Sequence, residues 1–424
     1  MFARTFRSLR HRNYRLYFFG QIVSFTGSWM QSAALMWLVF ELTADPLWPP
    51  LMLVAAVGPT LLLGPLGGSL ADRYPKKSLI FATQTAFLGC AILLTVVVAT
   101  GSATPVLLLA LQALSGMVQA IDLPTRLSFV PELIPKDDLI NAVGLNSLTF
   151  NLARALGPAL AGLLFRLTSH AVASGWIESA NPVALGAIAC FLFNASSFSA
   201  VLVALYFIRV ERRVPSHGMK PASFFDGLRF LRDRPGLAGL VLLTGVLSIF
   251  AWPVLTLLPA YTSLVLGQRE VAYSYLVSAL GAGALFGSLT TAAFSTPSRR
   301  ERFLLTGAGC GLLGLLGLIT TADLAAAFVS CAVFGFGLIL YLSTGQSTMQ
   351  LDSPDASRGK VMALWAMTLS GASIPGHILA GLAAQVYPVP TVLFVMLLGV
   401  VATVAGLGVL VGSQALRASP RSSD

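Results

Sequence analysis

The 424-residue sequence predicts an all-α polytopic membrane protein, with twelve transmembrane helices in two parallel six-helix repeats. Three observations lead there. First, 56% of the residues are hydrophobic and only 10% are charged, whereas about a quarter of a typical soluble domain is charged. Second, the chain is divided into about a dozen long apolar blocks with short separators, and about 20 residues of helix cross a hydrocarbon layer of about 30 Å. Third, landmarks in the first half recur in the second at a nearly constant offset.

The spans read as 16-41, 47-71, 79-99, 105-125, 139-165 and 183-208, then 237-258, 271-293, 303-319, 323-347, 361-385 and 391-413. Span 1 follows Arg4, Arg7, Arg10, Arg12 and Arg15. Its apolar run is too long for a secretion signal and lacks a small-residue cleavage site, so it reads as a retained helix. The arginines alternate with Phe2, Phe6, Leu9 and Tyr14 and are expected to rest on anionic headgroups. Span 2 contains Gly64-Pro65-Leu66-Gly67-Gly68, tolerable in lipid because neighbouring helices re-satisfy a disturbed backbone and small residues allow close packing. Span 7 is interrupted at Trp252-Pro253, and spans 9 and 10 form a tight hairpin at Thr320-Thr321-Ala322-Asp323. The predicted division is a bundle over 1-208, a charged linker over 209-236 and a second bundle over 237-424. Cys90, Cys190, Cys310 and Cys331 show neither metal-ligand spacing nor a redox pair.

An even number of spans sorts the charges. Of the 27 Lys and Arg residues, all but Arg154, Arg166 and Arg269 fall at the termini or at junctions on one predicted side. The positive-inside rule makes that side cytoplasmic, with both termini there. The net charge of +10 is thereby explained without a nucleic-acid partner. The repeat is visible in four places. Leu9-Arg10-His11-Arg12 recurs as Leu231-Arg232-Asp233-Arg234. Gly64 and Gly68 recur as Gly283 and Gly287, Gly157 and Gly162 as Gly376 and Gly381, and Pro135 as Pro354. Both halves start from the same side, so the repeats are parallel, related by an axis along the membrane normal.

The residues Gly68-Ser69-Leu70-Ala71-Asp72-Arg73-Tyr74-Pro75-Lys76-Lys77 lie between spans 2 and 3, and Gly144, Ala153, Gly157, Pro158, Ala161 and Gly162 lie in span 5. The first group resembles motif A, and the second motif C, of the major facilitator superfamily. Pro75 replaces the usual glycine of motif A, and alanines stand at two glycine positions of motif C. Asn13-Tyr14-Arg15-Leu16-Tyr17, Pro131-Glu132-Leu133 and Asn151-Leu152-Ala153-Arg154 resemble the branch of bacterial exporters that includes the enterobactin exporter. The resemblance covers all twelve spans. It implies a secondary active exporter in a bacterial inner membrane, working by alternating access and proton antiport. It also implies a gate made by Gly68, Asp72, Arg73, Lys76, Lys77, Asp122 and Arg126, in which Asp72 faces the start of span 11 near Lys360-Val361 and Lys76 meets Asp122. The bare spacing offers a competing local pair, since Asp122 and Arg126 are four residues apart on one helix face.

Arg154 lies about 22 Å along span 5 at about 1.5 Å per residue, where a lone cation costs about 2.5–3.5 kcal/mol and calls for water or a partner. Gln31 and His377 reach comparable depth, and Gln112 stands where the family often has a span 4 arginine. Gln31, Gln112, Arg154 and His377 are the candidate cavity or coupling residues, with packing the competing reading of each. No Asp or Glu falls in the middle third of any predicted span, so a proton route is left to His377, Glu41 or Asp122. Phe25, Trp29, Trp37, Trp252 and Trp365 suit a large apolar or ring-bearing molecule or a lipid contact. The expected substrate is an amphipathic drug-like compound or siderophore. A lipid or lysolipid transporter and a facilitated-diffusion carrier are the alternatives. No cofactor, no paired catalytic constellation and no ATP-binding loop is visible, so no enzyme is expected. The expected partners are substrate and membrane lipid, with a functional monomer.

Overall fold

The structure, a computed structural model, describes residues 6–179, 181–210, 235–353 and 355–418. The described chain is helical, in twelve successive segments. They are α1 (Arg12–Thr43), α2 (Trp48–Arg73), α3 (Lys76–Ala99), α4 (Pro105–Leu133), α5 (Leu139–Ala173) and α6 (Pro182–Phe207). The second half has α7 in two pieces (Pro235–Phe250 and Val254–Leu264), α8 (Glu270–Phe294), α9 (Arg300–Thr320), α10 (Leu324–Leu351), α11 (Asp355–Val386) and α12 (Val389–Ala418). Ten of these are long and apolar enough on their own to cross a membrane, with Val389–Ala402 a shorter apolar stretch.

Local chemistry sets the ends. Pro105 and Pro182 occupy the first helical position of α4 and α6, where a missing N–H costs nothing. The side chains of Thr104, Asn181 and Asp323 accept from Leu107 N, Ala184 N and Ala326 N at 3.3, 3.0 and 2.8 Å. The Asp323 cap is what allows the α9–α10 hairpin to be so short. The break in α7 falls at Ala251–Pro253, where the sequence places it.

Small residues set the helix spacing. A Cβ on Gly116 would stand 2.6 Å from the Ala55 carbonyl oxygen, and one on Gly67 would run into the Ala120 carbonyl, so α2 and α4 pack nearly backbone to backbone. Gly283 and Gly287 do the same for α8 against α10, at Ala332 and Phe336. The sequence match of Gly64 and Gly68 to Gly283 and Gly287 is therefore off by a face. Gly67 is the packing glycine of α2, while Gly64 and Gly68 have nothing within 4 Å. The span 5 match survives in space. Gly157 packs on α1 at Thr26–Met30, and its counterpart Gly376 on α7 at Ile249; Gly162 packs on α8 at Ser274, and its counterpart Gly381 on α2 at Leu47 and Pro50.

From Phe6 onward part of the N-terminal segment is docked on protein, while Arg7, Arg10, Arg12 and Arg15 stay exposed. Arg7 and His11 pair with Asp138 at the start of α5, His11 Nε2 lying 2.7 Å from Asp138 Oδ2. Ser8 N and Oγ donate to Asn141 Oδ1 at 2.9 and 2.8 Å, and Tyr14 Oη donates to the Ala142 carbonyl at 2.9 Å. An acid at a helix N-terminus is favoured by the exposed amides there, and the Arg7 guanidinium and the His11 ring then gather on it. Phe2, Arg4, the linker's 211–234 and Arg421 lie outside the described residues.

Candidate functional site: the gap between the halves

The halves are joined chiefly by two helix pairs, with smaller contacts of α8 on α1 and of the second piece of α7 on α1 and α2, and the two main pairs meet toward the side away from the arginine-rich junctions. On α5 and α8, Ser278 Oγ donates to the Ala155 carbonyl at 2.8 Å, and a Cβ on Gly281 would lie 2.5 Å from the Arg154 carbonyl oxygen. On α2 and α11, Leu61 lies beside Gly371. Farther out, Gln385 Nε2 donates to both Asp45 oxygens at 3.0 and 2.9 Å. Arg269 reaches Glu41 at 3.6 Å across the same side, and the Trp37 and Tyr273 rings lie 5.4 Å apart.

The same faces diverge toward the arginine-rich side. The α2 face that touches α11 at Leu61 continues through Gly64, Gly68 and Asp72 by helical periodicity. Both glycines face open space, and Asp72 is exposed without a hydrogen bond or ion pair to a described residue. On α5 the face continues back to Gly144, which also has nothing within 4 Å. The halves thus form a V, sealed at one end and open at the other.

The predicted gate is not assembled in this state. Lys76 Nζ bonds Glu132 Oε1 at 2.6 Å rather than Asp122, and Lys77 Nζ donates to the Ile208 carbonyl at 2.7 Å. Arg73 is exposed, and the Lys360 side chain is outside the described residues. Asp122 is wholly buried and pairs with Arg126, the local i,i+4 partner. It also accepts from Thr83 Oγ1 at 2.6 Å and Gln84 Nε2 at 3.0 Å, while Arg126 donates to Gln21 Oε1 at 2.7 Å. Distance explains the correction: Asp122 sits inside the α1–α3–α4 bundle, whereas Lys76 starts α3 at the rim. Thr83 and Gln84 are absent from the predicted set. Two adjacent polar residues in an apolar span were the signal for them.

The span 5 motif divides its work. Ala153, Ala161 and Pro158 are buried, Gly157 fixes α1, Gly162 meets the other half, and Gly144 has no described neighbour within 4 Å of a Cβ. Arg154 is 5% exposed at the apex of the V. Its guanidinium lies 5.6 Å from the ring of Trp29 on α1 and 5.4 Å from that of Trp252 in the α7 break, one indole from each half. Its Nη2 is buried and bonded to no described residue.

His377 is 1% exposed and lies within the second half, its Nδ1 2.9 Å from Thr256 Oγ1. That hydroxyl also donates to the Pro253 carbonyl at 3.0 Å, so it accepts from Nδ1–H and leaves Nε2 as a buried acceptor without a donor. Gln31 Oε1 accepts from Asn194 Nδ2 at 2.8 Å, tying α1 to α6 inside the first half. Gln112 is half-buried on α4 and has no hydrogen bond with a described residue. The four candidates are therefore not one cluster: Arg154 is at the apex between the halves, and His377 and Gln31 are each internal to one. No group of three or more His, Cys, Asp or Glu among the described residues is spaced to hold a metal.

The comparisons agree with this architecture. A bacterial homologue of the human lysosomal transporter Spinster, in an inward-facing and unoccupied conformation, superposes with a TM-score of 0.69 at 14% identity, covering 93% of this chain and 96% of that one. A bacterial homologue of the iron transporter ferroportin, inward-facing, does so at 0.69 and 15% identity, covering 93% and 98%. In sequence, the enterobactin exporter EntS of Shigella boydii serotype 18 is 27% identical over 411 residues, 95% of this chain and 90% of its own. The MFS-type transporter YfiS of Bacillus subtilis is 28% identical over 356 residues, 78% of each chain. The family described as transmembrane secretion effector matches residues 3–418. With its two joined six-helix halves and an end-to-end family match, the chain belongs to the transmembrane secretion effector family of major facilitator transporters.

Proposed function

We propose that this transporter is a secondary active exporter of amphipathic small molecules, drug-like compounds or siderophores, working by alternating access and driven by proton antiport. The observation that carries the reading is the V between the halves: a gap that opens on the arginine-rich side and is sealed opposite by the α5–α8 and α2–α11 crossings. With the arginine-rich side in the bacterial cytoplasm, as the positive-inside rule places it, this is the state that loads cargo from inside. The relative named an enterobactin exporter supports the outward direction. In the alternate state the α2 face closes on α11, and Asp72 then meets the amides at the α11 N-terminus. His377 is the proposed proton carrier, because its Nε2 is a buried basic nitrogen with no donor among the described residues.

The test is purified protein in liposomes, with proton and sodium gradients imposed independently against a panel of siderophores, amphipathic drugs and lysolipids. The expected result is substrate movement driven by the proton gradient alone, with its pH dependence flattened in His377→Gln. Equilibration indifferent to either gradient replaces the proposal with a facilitated carrier, and movement of lysolipid alone replaces the substrate class. Orientation is checked separately. Cysteines at Ala173 and Ser295 are expected to react with an impermeant reagent from the periplasm and from the cytoplasm respectively; the reverse pattern overturns the loading direction.

A further inference from the structure

Two guanidinium groups and four aromatic rings form an unbroken series of contacts that ends at Arg154, at the apex of the gap. Arg126 Cζ lies 5.0 Å from the centre of the Phe25 ring. Phe25 and Trp29 each meet the edge of Phe150 at 5.8 Å. Arg154 Cζ lies 5.6 Å from the centre of the Trp29 ring and 5.4 Å from that of Trp252. Arg126 is already matched by Asp122 and Gln21. Arg154 is not: it has no carboxylate partner among the described residues, and its Nη2 is bonded to none of them.

The indoles contact the guanidinium through its π-system, and the buried, unbonded Nη2 leaves its N–H rim for recognition. That rim presents N–H donors in one plane, a geometry that fits a planar oxyanion through two parallel hydrogen bonds. The neighbouring Phe150 is 44% exposed, so beside the unsatisfied cation stands an accessible ring that offers edge or offset contact to another ring. We propose that the Arg154 rim and the Phe150–Trp29 surface bind a planar aromatic anion, an aryl carboxylate or its equivalent, as the recognised part of the cargo. This rests on the reading of the gap as the cargo pathway and narrows its substrate class. An aromatic amine would face an uncompensated guanidinium, and an aliphatic acid would satisfy the rim while leaving Phe150 without a ring. Arg154 is 5% exposed, so binding requires its rim to be uncovered.

The experiment is equilibrium titration of the purified full chain in nanodiscs with 1-naphthoate, cyclohexanecarboxylate and 1-naphthylmethylamine, by calorimetry. Naphthoate is expected to bind about tenfold or more tighter than either of the others, and Arg154→Gln to erase most of that advantage. Arg154→Lys, which keeps the charge but loses the planar fork, is expected to lose nearly as much. Phe150→Leu lies on an exposed ring and leaves the fold alone; it is expected to weaken naphthoate by about three- to tenfold while leaving cyclohexanecarboxylate within about twofold. Equal affinity for the three probes overturns the proposal. So does wild-type naphthoate affinity in both Arg154→Gln and Phe150→Leu. Should Arg154→Gln fail to elute as a single species, the Phe150→Leu ratio decides alone. The titration needs no gradient, so a failure of proton-driven export leaves it standing. Conversely, export of other substrates that naphthoate neither binds beside nor inhibits overturns this inference and spares the export reading.

Discussion

Gly281→Val is expected to abolish transport by holding the sealed end of the V apart, while leaving each half folded. A Cβ at Gly281 meets only backbone, the Arg154 carbonyl oxygen at 2.5 Å, its carbon at 2.8 Å and Ala155 Cα at 2.9 Å, so no side chain can swing aside. Overpacking of this kind costs about 1–3 kcal/mol. Because the contact exists only between the halves, that cost falls on one conformation and becomes a shift of about 5- to 150-fold in the conformational equilibrium. Distances between spin labels at Ala173 and Gln268 should lengthen, with Gly309→Val, at a glycine with nothing within 4 Å, as the control for adding a β-branched residue to a helix. Unchanged distances and wild-type transport would remove the α5–α8 crossing from the cycle.

Asp122→Asn is expected to be the most destabilising single change in the first half. The carboxylate is wholly buried, pairs with Arg126 and accepts from Thr83 and Gln84. Removing one member of a buried pair leaves the other uncompensated, typically at about 3–5 kcal/mol. The expected signature is a melting temperature several degrees lower in detergent, with Asp122→Asn/Arg126→Gln recovering part of the loss because the stranded cation is gone too. Additive losses in the double variant would show that the two side chains are not coupled.

Span number, the α7 break and the α9–α10 hairpin were readable because each depends on local chemistry: apolar length, a Trp-Pro step and an Asp cap. The identity of facing residues was not. Gly64, Gly67 and Gly68 lie within one stretch of five residues, but a step of about 100° per residue puts Gly67 against α4 and the others toward the gap. Lys76 and Asp122 illustrate the same gap in knowledge. Opposite charges near one membrane surface invite pairing, but whether they pair depends on helix crossings that no spacing encodes. Arg154 was legible as an expensive cation, since depth follows from counting residues. Its indole neighbours were not, because Trp29 and Trp252 come from different halves and meet only through the fold.

The fastening of α5 limits how the molecule can move. Arg7 and His11 hold Asp138 at the start of that helix, Tyr14 holds Ala142, and the Gly157 contact locks its middle to α1 at Trp29 and Met30. Three attachments spread along some 20 residues prevent axial slip or rotation of α5 on α1, since any displacement must break contacts of different kinds at once. Motion of α5 against the other half then falls on its crossing with α8, where single glycines meet the facing helix. The device behaves mechanically as two stiff levers, with Arg154 beside the crossing that closes one end of the gap. Cargo held there turns with the levers and is never carried along them.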